Sequence, residues 1–449
     1  MNRICIKGTL LFAVLILLAV AGQSRPSVTG VTLQQTLGSR KAVITYNLSE
    51  DAIITLAIET NGVRLAANEV TALEGDVCKL VNSGDNRQIN WTAGIDWPEQ
   101  HTLTAKAIVQ AWPTNAPPPY MVVDLSGGAN AQTYPVSYYA SLEALPNGGL
   151  GNDLYRTLRL VMKKVRTQSA WPENGRFLMG SPVSETGRVT ISGVEGESEH
   201  EVLLTRDYYL GIFEVTQSQW YQVTGRYSQY FSNPNAWESR PVERVSYWMI
   251  RSSTNNTGSA GIDWPTTGVM VGSESFLGLL RARTGLSFDL PTEAQWEYAC
   301  RAGTRGALHD GTANLVSSSS YQYVDALARC TANRIGTISS AVDVENGTAK
   351  VGSYLPNAWG FYDMLGNVHE LCLDWFQLDL GTTTAIDPVG PVASSFDPGQ
   401  TGGYEYGRVL KGGSLDVPAW SLRSAYRRAF LEDDNGNYTV GFRLALNID

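Results

Sequence analysis

The sequence is poor in histidine, cysteine and positive charge. It contains four histidines and five cysteines, and its 34 lysines and arginines are outnumbered by 43 aspartates and glutamates, so that the net charge is −9. No run of lysine or arginine is present, and we therefore expect no nucleic-acid partner. Histidines spaced three or four residues apart and closely spaced cysteines are also absent, which disfavours a local zinc or iron site. The sequence motifs of serine hydrolases, NTPases and dinucleotide-binding proteins are missing as well.

The sequence is instead rich in apolar and aromatic residues. Apolar residues make up 43% of the 449 residues and charged residues only 17%, a balance that excludes disorder and allows two hydrophobic cores. The 12 tryptophans, 21 tyrosines and 44 glycines indicate a loop-rich globular protein that packs around aromatic side chains.

The N-terminus has the pattern of a secretory signal. Arg3 and Lys7 precede an apolar run, and the sequence Ala-Val-Ala at 19–21 is typical of signal-peptide cleavage. The run is short for a membrane span, and no cysteine stands at the cleavage point to carry a lipid anchor. We therefore predict a signal peptide over 1–21, cleavage near Ala21, export to the periplasm or the extracellular space, and no stable membrane anchor. A retained signal anchor is the alternative.

Composition divides the rest of the chain into three parts. Residues 27–125 consist of short β-branched runs with a turn signal about every ten residues, the pattern of a β-sandwich of the immunoglobulin or fibronectin type. Residues 126–155 are rich in proline, glycine and asparagine and are predicted to be a linker. Residues 156–447 have few long periodic segments and many short ones, which predicts a domain of low regular structure.

Four cysteines lie outside the predicted signal peptide: Cys78, Cys300, Cys330 and Cys372. Export permits disulfides, but four cysteines allow three pairings and the sequence does not choose among them. Because Cys78 lies in the predicted sandwich, we expect it to be unpaired, with at most one bridge among the other three.

Three helices are predicted from capping patterns in the last part of the chain. Thr216 and Thr292 each precede a glutamine by three residues and so form capping boxes ahead of apolar residues at helical spacing. A third helix is predicted to begin at the cap Ser273 and to end at Gly285.

Oxygen-bearing side chains cluster in two loops of the same part. Asp363 and Glu370 flank a Leu-Gly-Asn turn, and Asn333, Asp343 and Glu345 lie in a second stretch. Carboxylates and backbone carbonyls close in sequence are the ligands that calcium prefers. The pattern therefore indicates calcium sites, with the alternative that these acids cap turns or pair with arginines.

Seven sequence blocks follow one another in this part of the chain, namely RFLMGS (176–181), YYLGIFEVTQSQWYQVTG (208–225), RPVERVSY (240–247), LPTEAQWEYACRAGT (290–304), LPNAWGFYDMLGNVHELCLDW (355–375), RVLKGGS (408–414) and GFRLAL (441–446). In this order and spacing they resemble the sulfatase-modifying-factor, or formylglycine-generating enzyme, family. The resemblance covers residues 157–446 and implies one compact domain related to the C-type lectin fold. The expected fold class is therefore α+β, with an all-β sandwich ahead of the family domain.

The resemblance also implies two structural calcium ions that tie down irregular loops. Each ion is expected to have four ligands from the chain. The implied ligands are Asn333, Arg334 (carbonyl), Asp343 and Glu345 (carbonyl) for one ion, and Asp363, Gly366 (carbonyl), Val368 (carbonyl) and Glu370 for the other.

The copper chemistry of the family is not expected in this chain. Formylglycine-generating enzymes oxidise a sulfatase cysteine with copper(I), which is held by two cysteines that follow the Gly-Gly-Ser sequence. Here the corresponding interval 415–422 contains no cysteine, and copper(I) selects soft thiolates. Cys300 matches a disulfide position of the family, but its partner position falls at Ser424. The three iron-binding histidines of the related sulfoxide synthases have no visible match.

We therefore expect a non-catalytic, calcium-stabilised binding or scaffolding protein, with a binding surface on the loops 416–420, 426–430 and 435–438, which follow the Gly-Gly-Ser sequence. Aromatic and polar loop residues suit an unknown protein, peptide or carbohydrate ligand. A sulfatase that is bound but not modified is a further possibility. The alternative function is that of a formylglycine-generating or other oxidase with displaced ligands. The predicted contact residues are Asp416, Trp420, Tyr426 and Arg427.

Overall fold

The computed structural model describes residues 25–448 except for 36–37, 99–103, 168–173, 189, 192–193, 259–261, 316–320, 335–345 and 394–405. The predicted signal peptide and two predicted calcium ligands, Asp343 and Glu345, lie outside the described residues. Within the described ranges, none of the helices combines the length and apolar content that crossing a membrane requires.

The N-terminal part of the chain folds as two antiparallel sheets. Its strands are β1 (Val28–Gln35), β2 (Ala42–Leu48), β3 (Ala52–Thr60), β4 (Val63–Arg64), β5 (Leu73–Gly75), β6 (Leu80–Val81), β7 (Gly84–Trp91) and β8 (Lys106–Trp112). One sheet has the order β1-β2-β7-β5, and in the other β3 pairs with β4, β6 and β8. Every second residue of β2 is buried, so that Ile44 and Tyr46 pack against Ile54 and Ile58 of the other sheet in one core. The alternating pattern thus produces a sandwich.

The second domain combines several sheets with short helices, and the α+β prediction is confirmed. Its strands are β9 (Tyr120–Asp124), β10 (Val136–Tyr139), β11 (Arg159–Val165), β12 (Arg176–Met179), β13 (Thr190–Ile191), β14 (Val194–Glu195), β15 (His200–Leu203), β16 (Tyr208–Gly211), β17 (His369–Trp375), β18 (Ala385–Ile386), β19 (Arg408–Lys411), β20 (Arg428–Phe430), β21 (Val440–Gly441) and β22 (Ala445–Asn447). The α-helices in the described ranges are α1 (Ala93–Asp96) in the sandwich, and α2 (Leu154–Thr157), α3 (Gln217–Thr224), α4 (Tyr247–Arg251), α5 (Phe276–Thr284) and α6 (Glu293–Arg301) in the second domain.

The boundary between the two domains lies earlier than the composition indicates. Strands β9 and β10 belong to a sheet of the second domain with the order β10-β9-β11-β16-β22. The predicted sandwich range 27–125 is therefore too long, and the predicted linker 126–155 contributes a strand and a helix to the second domain. The physical reason is that Met121 and Val123 of β9 are fully buried in the second core, a packing that the surrounding proline and glycine residues hide in the sequence.

Helices α3 and α6 begin where their capping boxes predict. Thr216 and Thr292 each accept a hydrogen bond from the backbone N–H three residues on. The third predicted helix is α5, but the prediction of Ser273 as its cap is wrong. The cap is Ser275, whose hydroxyl accepts a hydrogen bond from the backbone N–H three residues on at 2.9 Å. Gly285 ends the helix as predicted, with a φ of 72°.

The sheet that positions the candidate site has the order β20-β19-β17-β21. Strand β17 is buried along its whole length, although three of its seven residues, HELCLDW, are polar or charged. Glu370 of β17 lies opposite Lys411 of β19 and beside Gly441 of β21. Charged groups in the middle of a buried sheet must be paired or hydrogen-bonded, and their partners come from the loops around the sheet.

Candidate functional site

The Gly-Gly-Ser turn after β19 forms one edge of the candidate site. Gly412 and Gly413 have φ values of 85° and 74°. A Cβ atom on Gly413 would also lie 2.7 Å from the carbonyl oxygen of Ser421. Only glycine satisfies both the backbone conformation and the close approach. The turn thereby fixes where the following residues, from Ser414 onward, leave the sheet.

An open groove of about 410 Å³ lies beside this turn. We call it the Asp416 groove. It is built by the segment that follows the turn, by one end of β20 and by the loop ahead of β21, so that Asp416 and the loop 435–438 line the same groove. Its lining residues are His369, Ser414, Asp416, Val417, Arg428, Asp434, Gly436, Asn437, Tyr438 and Thr439.

Asp416 is the one acid of the segment 415–422 after the turn, and its orientation is fixed by neighbours. Arg334 lies 2.8 Å from one carboxylate oxygen, and the Tyr438 hydroxyl donates to the other at 3.4 Å. The Tyr438 ring stacks on Tyr230, with centroids 5.1 Å apart. Partial burial and the Asp416 charge raise the pKa of the Tyr438 phenol, which therefore stays a neutral donor. The result is a charged and aromatic wall that remains accessible to solvent.

Trp420 and Tyr426 lie outside the lining of the Asp416 groove. Their rings contact each other edge to face, with centroids 6.2 Å apart, and both side chains are half-buried. Trp420 also packs over Gly187, where a Cβ atom would lie 2.7 Å from the Trp420 Cβ. These two aromatic residues therefore form a small cluster beside the groove rather than part of its wall.

The prediction that Arg427 belongs to a binding surface is wrong. Its side chain is 2% exposed because it forms a bidentate ion pair with Glu293, with N–O distances of 2.6 and 2.7 Å. The guanidinium also lies over the Phe376 ring at 4.6 Å. Arg423 is similarly buried and pairs with Glu197 at 2.6 Å. Both arginines thus hold the C-terminal segments onto the core.

His369 is a wall residue of the Asp416 groove that the sequence reasoning did not single out. It is 2% exposed, and its Nδ1 has no hydrogen-bond partner among the described residues. Burial, with a smaller contribution from the Arg428 charge, lowers the pKa of the imidazole to about 3. The ring is therefore neutral at physiological pH. Strand alternation could have identified His369 in the sequence, because it precedes the buried Glu370 and therefore faces the other side of β17.

The second predicted calcium site lies behind this sheet. Asp363 is buried, and its Oδ2 accepts a hydrogen bond from the Gly352 N–H at 2.6 Å, whereas its Oδ1 has no partner among the described residues. Glu370 is held more firmly, because both of its oxygens accept hydrogen bonds from Arg443 at 2.6 Å. It also accepts one from the Trp296 indole at 2.6 Å.

A third buried acid, Glu214, joins these two and was missed in the sequence. It accepts hydrogen bonds from the Asn367 amide at 2.7 Å and the Val368 N–H at 3.1 Å. Burial and the charges of Asp363 and Glu370 raise its pKa well above the usual range, and burial raises the pKa of Asp363 to about 6. The sequence GIFEVT, in which one acid lies among apolar residues, could have indicated that Glu214 is buried.

The carboxyls of Asp363, Glu370 and Glu214 meet some of the requirements for binding a hard cation. The unpartnered oxygen of Asp363 and the surplus of buried negative charge suit calcium, while Glu370 would have to share its oxygens with Arg443. In the ranges that the structure describes, no group of three or more His, Cys, Asp or Glu side chains could hold a metal ion. A calcium ion here would therefore depend on the backbone carbonyls of Gly366 and Val368 for the rest of its ligands.

At the first predicted calcium site, the structure shows other roles for the two ligands that it describes. The Asn333 amide donates to the Ala328 carbonyl at 2.6 Å and accepts from the Cys330 N–H at 3.0 Å. Arg334, predicted to contribute its carbonyl, pairs with Asp416 through its side chain. Asn333 thus stabilises a turn, and this turn places Arg334 against the Asp416 groove.

The four cysteines outside the predicted signal peptide are free. Cys300, Cys330 and Cys372 are buried, and Cys78 is half-buried. The Cys300 thiol lies 3.6 Å from the Ser424 hydroxyl, so that the two positions expected from the resemblance are neighbours without a disulfide. Burial raises the pKa of the Cys300 thiol to about 12.

Comparison with known proteins identifies several relatives of this chain. A Streptomyces coelicolor formylglycine-generating enzyme is 33% identical over 36% of this chain and 47% of its own length. The Paenibacillus barcinonensis chaperone protein LppX is 31% identical over 43% of this chain and 76% of its own length. The Chlamydia pneumoniae serine/threonine-protein kinase pkn1 is 27% identical over 65% of this chain and 41% of its own length. The chain spans less than half the length of the kinase and of the enzyme.

Among solved structures, Treponema denticola variable protein 1 aligns over 64% of this chain and 95% of its own length, with 22% identity and a TM-score of 0.43. The family described as sulfatase-modifying factor enzyme 1-like domain matches residues 161–448. That range contains the Gly-Gly-Ser turn, the Asp416 groove and the buried carboxyl cluster. By this match over most of its length, the chain belongs to the sulfatase-modifying factor enzyme 1-like domain family.

Proposed function

We propose that the protein is an exported binding protein whose Asp416 groove receives a segment of another polypeptide without oxidising it. The observation that carries the proposal is the chemistry of the groove wall. It offers carboxylate, guanidinium, amide, hydroxyl and phenol groups, and the lining residues that the structure describes include no thiol. Such a wall suits hydrogen bonding and ion pairing with a ligand, whereas copper(I) selects soft sulfur ligands.

The cysteines that the structure describes do not supply sulfur ligands to the Asp416 groove. Cys300, Cys330 and Cys372 are buried, and burial raises the pKa of each thiol. A buried thiol with a raised pKa stays protonated at neutral pH, and the thiolate is the form that binds metals. The groove is therefore expected to bind its partner and release it unchanged.

Several features favour a polypeptide as the partner. Asp416 can pair with a basic side chain, Asn437 and Thr439 can hydrogen-bond a peptide backbone, and Tyr438 presents a ring held in place by stacking. A relative that this chain covers over 76% of its length is named a chaperone, that is, a protein that acts on another protein. Carbohydrate is the other ligand class that such a wall could take, and it serves as an outcome of the test.

The proposal is tested with a fluorescently labelled Cys-x-Pro-x-Arg peptide, because Asp416 offers a partner for its arginine. We expect polarisation to rise without copper, and the rise to be lost in Asp416→Ala and Tyr438→Ala. Tyr227→Ala is the matched control, since Tyr227 is 60% exposed and lies outside the groove. Absence of binding to this peptide and to an array of unrelated peptides would reject the polypeptide partner. Binding of an arrayed glycan in its place would assign the groove to carbohydrate.

The second candidate function is that of a formylglycine-generating oxidase, which the 33% identity to an enzyme of that name favours. The same peptide distinguishes it. After incubation with copper(I) and oxygen, an oxidase would convert the cysteine to the aldehyde, and mass spectrometry would detect the product. We expect the peptide to be recovered with its cysteine intact.

We further propose that calcium stabilises the family domain through Asp363, Glu370 and the carbonyls of Gly366 and Val368, with Glu214 as an additional buried acid. The support is the buried negative charge of these carboxyls, which Arg443 offsets in part. Removing calcium is expected to lower the melting temperature, because a ligand that binds only the folded state stabilises it.

A further inference from the structure

A second cavity, of about 750 Å³, lies where the sandwich meets the second domain. Strands β3 and β8 and the segment 64–78 form one side, and β10 with the loop after it forms the other. The Tyr138 N–H donates to the Cys78 carbonyl at 2.7 Å across this junction. The cavity is therefore walled by both domains and is distinct from the Asp416 groove. Its volume is within the range of small-molecule sites, which often lie between domains.

Three aromatic side chains line this interdomain cavity: Trp112, Tyr138 and Tyr139. The Trp112 indole N–H donates to the Thr55 hydroxyl at 2.9 Å, which fixes the orientation of the ring. Burial raises the pKa of Tyr138 to about 12 and also raises that of Tyr139, so that both phenols stay neutral. The cavity thus offers flat apolar surfaces without charge.

Uncharged hydrogen-bonding side chains also line the interdomain cavity. Thr55 and Gln110 are opposite each other on β3 and β8, and Thr71, Ser137 and Ser141 also line the cavity. Each of these side chains can donate and accept hydrogen bonds. The lining is therefore mixed in character, with aromatic faces and hydroxyl or amide groups on the same walls.

This mixture restricts the class of ligand. The ionic side chains in the lining are Arg64 and Glu74, one of each sign and both exposed, so that a charged ligand gains little net attraction. A wholly apolar ligand would remove water from the polar groups without replacing its hydrogen bonds, and each group left unpaired would weaken binding. The cavity therefore favours a neutral ligand that has both C–H faces and many hydroxyls.

We propose that the interdomain cavity binds a short neutral oligosaccharide. The C–H faces of the sugar rings would pack on Trp112, Tyr138 and Tyr139, and the sugar hydroxyls would exchange hydrogen bonds with Thr55 and Gln110. Because both domains contribute walls, the bound sugar contacts both at once and stabilises their packing against each other. This site does not depend on the function proposed for the Asp416 groove.

The test uses the full chain and four probes: maltose, cellobiose, lactose and N,N′-diacetylchitobiose. Saturation-transfer NMR is expected to show signals on the ring C–H protons of at least one of them, with a rise in melting temperature. Ala144→Trp fills the cavity from the loop after β10 and should abolish the signals. Gln110→Ala removes one amide partner and should weaken binding about fivefold, the equivalent of one hydrogen bond.

The matched control is Gln34→Ala, because Gln34 is exposed on strand β1 and does not line the cavity. It should bind the same probe with unchanged affinity. If Ala144→Trp does not fold, the affinities of Gln110→Ala and Gln34→Ala for the same disaccharide are compared instead. Equal affinities of these two variants would overturn the proposed site. Absence of signals for all four disaccharides would also overturn the proposal. Binding of anilinonaphthalene sulfonate alone would show that the cavity takes apolar ligands and would refute the sugar.

Discussion

Replacing Asp363 by asparagine separates the effect of calcium from the effect of a buried charge. The substitution keeps the size of the side chain and an oxygen that can accept the Gly352 N–H, but it removes the negative charge. Without calcium the buried charge destabilises the folded state, whereas with calcium the carboxylate binds the ion. We therefore expect Asp363→Asn to be more stable than the wild type in EDTA and less responsive to added calcium.

The expected magnitude follows from the raised pKa of Asp363. Burial raises that pKa from 3.8 to about 6 in the folded protein, so the protonated form is favoured on folding. The resulting stabilisation is complete below pH 3.8 and is lost as the pH rises through about 6. A difference of roughly two pKa units corresponds to about 3 kcal/mol. At pH 7.5 in EDTA, Asp363→Asn should therefore raise the free energy of unfolding by up to about 3 kcal/mol.

Calcium should remove most of this difference in stability. A ligand at one hundred times its dissociation constant stabilises the folded state by about 2.7 kcal/mol, and Asp363→Asn should lose most of that gain. The assay is thermal and urea unfolding at pH 7.5 with EDTA or excess calcium. Asp153→Asn is the control, because its side chain is 55% exposed and should not alter the response to calcium. Equal stabilisation of Asp363→Asn and wild type by calcium would refute the proposed ligand, and a less stable variant in EDTA would refute the buried-charge argument.

Three other substitutions test the packing around the site. Ser424→Cys should form a disulfide with Cys300, because the Ser424 hydroxyl lies 3.6 Å from the Cys300 thiol, and should stabilise the oxidised protein by up to about 4 kcal/mol. Melting curves with and without reductant measure this stabilisation, and mass spectrometry that finds both thiols free would contradict the prediction. Arg427→Met should destabilise by about 4 kcal/mol in urea unfolding, because the buried Glu293 loses its bidentate partner. An unchanged midpoint would show that the pair is dispensable. Burial and Glu293 raise the pKa of Asp374 from 3.8 to about 7, so the stabilisation that its protonation provides is lost as the pH rises through that value. Asp374→Asn should therefore make the free energy of unfolding depend less on pH between pH 4 and 8. An equal pH dependence in the variant and the wild type would contradict this.

Much of the fold could be predicted because local patterns determined it. The alternating residues of β2 and the capping boxes at Thr216 and Thr292 depend on neighbours in sequence, and the structure has the strand and both helices there. The cap of α5 was placed two residues early because Ser273 and Ser275 are both suitable, and only packing of the first turn distinguishes them. The boundary before β9 was missed because it depends on long-range pairing with β11, which composition does not report.

The candidate site was predictable only in part, for a related reason. Asp416 and the loop 435–438 were placed together because the family blocks fix their order. Arg427 was expected on the surface, but its partner Glu293 is far away in sequence and on helix α6. Glu214 and His369 were missed because each owes its character to burial by distant segments. Burial decides both the charge of these groups and their access to solvent, and single-sequence patterns carry little information about it.

The sheet order β10-β9-β11 determines how this chain can be divided. A fragment that begins at residue 156, where the composition changes, would lack both strands and leave one edge of β11 without partners. Unpaired N–H and C=O groups along an edge strand are a template for association with other chains. Such a fragment should aggregate or dimerise through β11, so that a soluble family domain has to begin between Trp112 and Tyr120.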